Sequence, residues 1–199
     1  MAYVILGLGN PGAEYAKTRH NAGRMVAERI ALDAGLPFAL KKTSLAIVAT
    51  GDIDGEKVVV ALPETMMNLS GKSAATLVKS KAAAKKLLVI RDELDLPLGT
   101  IKITVPGRGS GGHKGIESIM RALKTKDFVQ MKIGISPATP KGKLKKPEAG
   151  DKVVKHVIGK FSPKEEVLLA KTIARGAIAA RAFVTDGLEK ALLIANTNA

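Results

Sequence analysis

The sequence lacks several residue types, and each absence removes a class of function. It contains no cysteine, so it has no disulfide framework, no thiolate metal site and no cysteine nucleophile. Aromatic residues make up only 3% of the chain, which is too few for an extended platform that stacks single-stranded bases. No apolar run reaches the roughly 20 residues that a membrane-spanning helix needs. These absences leave a globular protein that uses oxygen, nitrogen or activated water for any chemistry.

Acidic residues are also scarce relative to basic ones. Lysine and arginine number 32 against 18 acids, a formal net charge of +14. Such an excess favours a polyanionic partner, most simply a nucleic acid. With so few aromatic residues, the surface is expected to contact backbone phosphates and helix shape rather than splayed bases. The alternative is a basic surface that serves solubility alone.

The chain length and hydrophobic content predict one globular domain. There are 199 residues, of which 46% are hydrophobic, enough for a sizeable core. A strand-like run begins at residue 3, which leaves no room for a presequence. We therefore expect an intracellular, cytoplasmic protein. A mature protein of the organellar matrix, from which a presequence was removed, would look the same.

Hydrophobic periodicity predicts an α/β domain with a twisted mixed sheet and helices on both faces. Strand-like segments are 3–8, 45–50, 57–62, 87–91, 100–105 and 129–135, and helix-like segments are 22–34, 70–82, 114–124, 163–183 and 187–195. Their alternation is typical of α/β proteins. The sheet is expected to be mixed because only the short turn GDIDG joins 45–50 to 57–62.

The last third of the chain contains a basic loop and a helical end. The region 163–195 is predicted to be helical, with Ser162 as N-cap, Pro163 at the first position and Glu165 completing a capping box. The proline-, glycine- and lysine-rich stretch 137–152 predicts a mobile loop. Its lysines either contact phosphates or are simply solvated: Lys141, Lys143, Lys145 and Lys146.

The first strand runs into Gly7-x-Gly9-x-x-Gly12, which formally matches a dinucleotide-binding turn. That motif requires a helix to open at the third glycine, and an acidic residue at the end of a second strand. Here Pro11 lies inside the turn, and the first helical pattern begins only near Asn21. A plain strand that ends in a glycine turn is the better interpretation, and a dinucleotide enzyme remains a minor alternative.

Polar clusters follow four predicted strands, where open α/β sheets place their sites. His20 lies between Arg19 and Asn21, just before a helix. The sequence has no G-x-S-x-G or H-E-x-x-H motif, so a histidine base that activates water is the simplest catalytic arrangement. Its reference pKa of about 6.5 leaves imidazole neutral at cytosolic pH. A histidine on the surface near a helix cap is the alternative.

A histidine base needs an orienting carboxylate, and the segment RDELDLPLG offers three. Asp92, Glu93 and Asp95 follow the apolar run LLVI. Three acids could instead hold Mg²⁺, but alternate residues of an extended segment point in opposite directions, so convergence of all three is not expected. A plain polar turn is the remaining alternative.

The segment PETMMNLSG follows another predicted strand. Methionine usually fills cores, but two adjacent methionines cannot both face the core, so either Met66 or Met67 is expected to line a cleft. Asn68 is either a helix N-cap or a ligand-binding residue. The glycines of GRGSGGHKG allow backbone amides to approach an anionic ligand.

Taken together, four ordered motifs resemble those of bacterial-type peptidyl-tRNA hydrolase. They are GLGNPGxxYxxTRHNxG, MNxSG, DELDLPxG and GGHxG, and the tail segments HVIGKFSPKE and TDGLEKAL resemble that family's lid region and last helix. The resemblance covers essentially the whole chain. It implies an enzyme that hydrolyses the ester between a peptide, or a blocked amino acid, and the 3′ ribose of tRNA.

The resemblance also implies roles for individual residues. His20 would be the general base on water, Asp92 would stabilise its working form, and Asn10 would help to distinguish a blocked amino group. Substrate or tRNA contacts are expected from Tyr15, Met66, Met67, Asn68, His113, Lys114, Lys102 and Lys132. The family needs no metal and no cofactor. The implied partner is the acceptor stem and 3′ end of peptidyl-tRNA, bound by a monomer without an obligate protein partner.

Several residues depart from the family pattern. Lys114 stands where the family usually has asparagine, and lysine only donates hydrogen bonds. It could be a poor substitute, an alternative cationic donor or a solvent-directed side chain, and we favour the first. The stretch before it is one residue longer and contains Arg108, and Gln130 replaces a frequent arginine. A catalytically silent RNA-binding relative is the main alternative, although His20 and Asp92 are both present.

Overall fold

The computed structural model describes residues 1–139, 143–147 and 149–196. The strands are β1 (Tyr3–Gly7), β2 (Ala39–Lys41), β3 (Ala46–Ile53), β4 (Glu56–Pro63), β5 (Leu87–Pro97), β6 (Ile101–Thr104) and β7 (Val129–Ser136). The α-helices are α1 (Ala22–Asp33), α2 (Ser70–Leu77), α3 (Lys81–Ala84), α4 (Lys114–Leu123), α5 (Asp151–Val157), α6 (Pro163–Thr185) and α7 (Leu188–Asn196). Short 3-10 turns include Arg19–Asn21 and Met67–Leu69.

The strands form one mixed sheet in the order β2-β3-β4-β1-β5-β7-β6. The central strands β4, β1, β5 and β7 are parallel, whereas β2, β3 and β6 pair antiparallel at the two edges. A two-residue turn joins β3 to β4, with positive φ at both Asp54 and Gly55, as a tight hairpin requires. The predicted α/β class and mixed sheet are confirmed.

Two hydrophobic clusters cover the two faces of the sheet. Side chains of successive strand residues point to opposite faces, and in β1 Ile5 belongs to one cluster while Val4 and Leu6 belong to the other. Helices α1, α6 and α7 pack on the first face, and α2 and α4 pack on the second. No helix in the described part of the chain is long and apolar enough to cross a membrane.

The prediction of a single helix at 70–82 is wrong, because this segment contains two helices. Helix α2 ends at Leu77, because Val78 takes an extended backbone conformation, and α3 begins after Ser80, whose hydroxyl accepts the N–H of Ala83. At the C-terminal end, the capping box of Ser162 and Glu165 is present as predicted. Gly187, with a φ of 91°, separates α6 from α7, so the region 163–195 contains two helices.

The predicted loop at 137–152 is shorter than expected. Helix α5 begins at Asp151 and was missed, because its short pattern of valines among charges gives no clear helical period. Within the loop, the N–H of Lys145 donates to the carbonyl of Pro137, and the ammonium of Lys146 pairs with Asp95. Lys141 lies outside the described residues. The mobility of the loop and its contact with phosphates stay predictions.

The close approach of α1 to β5 makes a stability prediction possible. Gly23 lies in the first turn of α1, and a Cβ atom there would lie 2.2 Å from the carbonyl oxygen of Ile90. We expect Gly23→Ala to lower the free energy of unfolding by about 1–3 kcal/mol, because backbone atoms must move apart. Denaturant unfolding measures this effect. Gly109→Ala is the control, since a Cβ there meets open space, and equal stability of the two variants would contradict the prediction.

Candidate active site

Several of the predicted site residues lie together near the carboxyl ends of the parallel strands. Asn10 follows β1, Met67 follows β4, and Asp92 lies in β5. His20 comes from the 3-10 turn before α1, and His113 is the N-cap residue of α4. A cavity of about 380 Å³ opens beside the two histidines and Asp92. This position agrees with the usual placement of sites in open α/β sheets.

Asp92 lies at the centre of this group and binds both histidines. Its Oδ1 atom is 2.8 Å from Nδ1 of His20 and 2.9 Å from Nε2 of His113. An ionised carboxylate only accepts hydrogen bonds, so both ring nitrogens donate. The Nδ1 atom of His113 in turn accepts the N–H of Ile116 at 3.4 Å, which fits the same tautomer. Sequence reasoning paired Asp92 with His20 but missed His113 as its second donor.

This arrangement leaves one ring nitrogen available for chemistry. Because His20 donates from Nδ1, its Nε2 atom carries a lone pair and can accept a proton. The side chain of His20 is 17% exposed, whereas those of Asp92 and His113 are 3% and 6% exposed. Only His20 of the three therefore reaches solvent to a useful degree, and it is the group that can take a proton from water.

The surroundings shift the pKa values of the two histidines in opposite directions. Burial lowers the pKa of His20, but the charge and hydrogen bond of Asp92 outweigh this effect and raise the pKa above its ordinary value. Burial, together with Arg91 and His20, lowers the pKa of His113 despite the same carboxylate. Burial would raise the pKa of Asp92, but the two histidines hold it well below its usual range. Asp92 is thus a permanent carboxylate that favours protonation of His20.

Asn10 is fixed in one orientation by two neighbours. Its Oδ1 atom accepts the N–H of Met67 at 2.8 Å, which leaves the Nδ2 group as a donor for a ligand. The side-chain amide of Asn21 accepts a hydrogen bond from the N–H of Asn10 at 2.9 Å and donates one to the carbonyl of Asn10 at 3.0 Å. Sequence reasoning treated Asn21 only as a helix start. The signal in the sequence is only a polar residue directly after the candidate base, whereas its burial and its contact with Asn10 appear in the structure.

The remaining predicted substrate residues differ in their exposure. Met67 is buried and Met66 is 44% exposed, which confirms that only one of the two methionines faces the core. Asn68 is exposed in its 3-10 turn, and Leu69 occupies the cap position of α2, so the N-cap interpretation of Asn68 is wrong. Tyr15 is half-buried, and its carbonyl accepts the hydroxyl of Thr18. Substrate binding by these residues stays a prediction.

The acidic residues of β5 contact separate partners. Glu93 lies 3.0 Å from Arg91 and 2.9 Å from Lys132. Asp95 pairs with Lys146. The three acids therefore do not form a shared Mg²⁺ site. Strand β5 continues through all of them to Pro97, beyond the predicted end at 91.

A different set of side chains has the composition of a metal site. Ligand atoms of His20, Asp92 and His113 all lie within 4.8 Å of one another. However, both histidines already direct a ring N–H at Asp92. A metal ion would have to displace two hydrogen-bonded protons, so the geometry fits a proton-transfer group better than a metal centre.

The lysines that are predicted to contact the substrate differ in their exposure and in their ion-pair partners. Lys102 is exposed and lies directly opposite Lys132 in the β6–β7 pair. Lys132 is only 20% exposed and is paired with Glu93, so it is not a free cation. Lys114 is 72% exposed, and its ammonium lies 3.3 Å from Glu117. Lys114 also contributes to the wall of the cavity, but its exposure and its pairing with Glu117 resemble the solvent-directed role more than either catalytic role.

Two departures from the family pattern contact each other. Gln130 is buried, and its Nε2 atom donates to the carbonyls of Arg108 and Gly109 at 3.3 and 3.2 Å. The amide of Gln130 therefore holds the main chain of the longer loop. The sequence contained both departures but gave no sign of their contact.

Comparisons with known proteins agree with this geometry. The family model described as Peptidyl-tRNA hydrolase matches residues 4–199. The chain is 41% identical to a peptidyl-tRNA hydrolase of Dehalococcoides mccartyi, over 94% of this chain and 96% of that protein. It is 39% identical to one from Syntrophotalea carbinolica, over 95% and 94% of the two chains.

A solved structure extends the similarity to three dimensions. The crystal structure of peptidyl-tRNA hydrolase from Acinetobacter baumannii superposes with a TM-score of 0.87 at 33% identity, covering 99% of this chain and 95% of that one. The matches in sequence and in structure span nearly the whole chain. The chain therefore belongs to the peptidyl-tRNA hydrolase family.

Proposed function

We propose that this protein hydrolyses the ester bond between a peptide, or an N-blocked amino acid, and the 3′ ribose of tRNA, releasing free tRNA for reuse in translation. The observation that carries the proposal is the state of His20. Its Nδ1 atom donates to a buried carboxylate 2.8 Å away, and its Nε2 atom is left to act as a base at the edge of a cleft.

The reaction follows from this arrangement. Nε2 of His20 takes a proton from water while the water oxygen bonds to the ester carbon. Asp92 stabilises the resulting imidazolium. The Nδ2 group of Asn10 is a suitable donor to the oxyanion of the tetrahedral intermediate. As the carbon–oxygen bond to the ribose breaks, His20 returns the proton to the 3′ oxygen, and peptide acid and tRNA leave.

The other predicted residues would shape the cleft around the ester. Met66 and Asn68 are exposed after β4, and Tyr15 lies on the loop after β1, so all three can contact the peptide end. Met67 supports Asn10, and His113 holds Asp92 in place. The reaction needs neither a metal nor a cofactor, and the protein would act as a cytoplasmic monomer.

The excess of positive charge supports a tRNA substrate. We expect Lys102→Gln to raise KM for the full substrate by about tenfold, since a hydrogen bond to a charged group contributes roughly 1.5–3 kcal/mol, and Lys132→Gln to raise it by less. The dependence of log KM on log salt should become shallower by roughly 0.7–0.9 per lost contact. A phosphate at Lys132 must share the ammonium with Glu93, so the effect should be larger at Lys102.

A minimal ester without the acceptor stem separates tRNA binding from chemistry. Its KM should hardly change in either variant. Lys57→Gln is the matched control, because Lys57 is exposed near the start of β4, at the end of the sheet away from the cleft. Equal effects on the full and minimal substrates would place Lys102 and Lys132 outside the tRNA path.

One assay tests the function itself. N-acetyl-aminoacyl-tRNA and unblocked aminoacyl-tRNA are incubated with the protein, with and without EDTA, and free tRNA is measured. We expect release only from the blocked substrate, at the same rate in EDTA. Binding of tRNA without release would instead support the silent RNA-binding relative, and loss of activity in EDTA would contradict the metal-free mechanism.

A further inference from the structure

Arg19, the residue before His20, is buried although it is charged. Its Nη2 atom lies 2.8 Å from Oε2 of Glu165, and Nη1 donates to the carbonyl of Ile135 at 3.3 Å. Its guanidinium carbon lies 4.7 Å from the centre of the Phe161 ring. Three partners from two distant parts of the chain, β7 and the start of α6, thus fix one side chain. Burying a guanidinium is costly without such pairing.

Glu165 is itself part of the start of α6. Its Oε2 atom accepts the N–H and the hydroxyl of Ser162 at 2.8 and 2.9 Å, so a single oxygen serves both the capping box and Arg19. Burial would raise the pKa of Glu165, but the hydrogen bonds from Arg19 and Ser162 lower it to about 2. Glu165 is therefore a carboxylate at every pH at which the protein is expected to work.

Backbone hydrogen bonds also connect the turn that carries His20 to the segment between α5 and α6. The N–H of Arg19 donates to the carbonyl of Gly159 at 2.9 Å, and Thr18 forms an isolated antiparallel bridge with Lys160. The segment between α5 and α6 thus runs along the turn that carries His20. Helix α5, which precedes this segment, contributes Val153, Val154 and Val157 to the wall of the cavity.

We propose that Arg19 is a positioning residue for catalysis: through Glu165 it fixes the His20 turn against the α5–α6 segment, and so maintains the contact between His20 and Asp92. The proposal rests on the proposed role of His20 as the base. Arg19 does not contact Asp92 and contributes no group to the reaction. It acts by coupling the base to the wall of the cleft, and misplacement of a catalytic group by about 1 Å can cost on the order of 100-fold in rate.

Two conservative substitutions test the coupling. Arg19→Lys keeps the charge but loses the two-armed contact with Glu165 and Ile135. Glu165→Gln keeps an oxygen for the capping box but removes the ion pair. We expect each to lower kcat by about five- to tenfold with little change in KM for the minimal ester. The double variant should be no slower than the slower single variant, because residues that act through one contact are not additive.

The pKa of His20 gives a readout that a purely structural ion pair would not move. Asp92 contacts His20 directly, and His113 contacts Asp92. The other charged residues that line the same cavity are Arg91, Glu93, Asp95, Lys114 and Lys146. His156 of α5 bonds to the same Ile135 carbonyl as Arg19. None of these residues is changed in the variants. If the turn shifts, the contact with Asp92 weakens and the effect of burial prevails, so the pKa of His20 falls. The sequence has only three histidines, so the ring of His20 can be followed by NMR titration, whether or not the protein proves to be a hydrolase.

An ion pair on the same helix is the matched control. Arg181 in α6 makes two hydrogen bonds to Asp54, at 2.9 and 2.6 Å, outside the cleft. Arg181→Lys and Asp54→Asn should leave kcat and the pKa of His20 unchanged. The proposal is overturned if Arg19→Lys and Glu165→Gln change only the unfolding temperature, as the control variants would. An inactive wild-type protein would instead contradict the proposed function, and the NMR titration would still test the coupling.

Discussion

Replacement of His20 by alanine is expected to lower kcat by a factor on the order of 10²–10⁴, the usual contribution of one positioned general base. The side chain of His20 bonds only to Asp92 among the described residues and belongs to neither hydrophobic cluster. Its removal should therefore leave the fold and the affinity for tRNA nearly unchanged. Single-turnover hydrolysis of N-acetyl-aminoacyl-tRNA measures the rate. Denaturant unfolding measures the stability of the fold, and a binding assay measures the affinity for tRNA.

Chemical rescue makes this test sharper. Added imidazole can occupy the space that the His20 ring leaves and bond to Asp92, so it should restore part of the lost rate in His20→Ala. The same addition should not accelerate the wild-type protein. A His20→Ala variant with near-normal turnover would remove His20 from the mechanism, and a variant that no longer binds tRNA would show that the residue has a different role.

The fold was largely predictable because its signals are local. Strand β1 and the apolar first half of β5 appear as continuous hydrophobic runs, and the turn GDIDG marks the hairpin between β3 and β4. The second half of β5 was not predictable, because the segment DELDLP is polar. Its pairing with β7 satisfies the backbone there despite an unfavourable composition, and such pairing depends on residues about 40 positions away along the chain.

The candidate site was predictable only as far as the family motifs reached. The motifs indicated that His20 and Asp92 act together. No local pattern indicates that Arg19 contacts Glu165 or that Gln130 contacts the loop at Arg108. Buried polar side chains find their partners through tertiary structure, because each must be satisfied by whatever group the fold brings near. The sequence shows that such residues exist and cannot show what they bind.

Lys114 illustrates the same limit. From the sequence, its side chain was expected to take the place of an asparagine near the base. In the structure it occupies the first position of α4, where the helix dipole disfavours a cation. The carboxylate of Glu117, one turn later, accepts a hydrogen bond from its ammonium. The pair explains how a lysine is tolerated at a helix start beside the cleft. Lys114 nevertheless lines the cavity beside His20, where a cation close to the ring would oppose the imidazolium.

Asp92→Asn is expected to have the second largest effect, a fall in kcat on the order of 10–10³-fold. An adjacent opposite charge shifts a pKa by roughly 1–3 units, and each unit corresponds to about 1.4 kcal/mol. That stabilisation of the His20 imidazolium is needed most when His20 has taken the proton from water. An asparagine oxygen can still accept the N–H groups of both histidines, so the geometry should persist while the charge is lost.

The pH dependence of kcat tests the direction in which Asp92 shifts the pKa of His20. His20 works only when neutral, so activity falls as the pH drops below its pKa. In the wild-type protein Asp92 raises that pKa; without the carboxylate, burial prevails and the pKa falls. The acid limb of kcat should therefore move to lower pH in Asp92→Asn, and the ratio of wild-type to variant rates should shrink as the pH is lowered.

Asp33→Asn is the matched control for this experiment. Asp33 lies at the far end of α1, exposed and paired with Arg29, so the same change from carboxylate to amide should alter neither kcat nor the acid limb. A slow Asp92→Asn variant whose acid limb stays in place would mean that Asp92 only supports the geometry of the site. A limb that moves to higher pH would contradict the electrostatic role of Asp92 altogether, since removing a negative charge cannot favour the imidazolium.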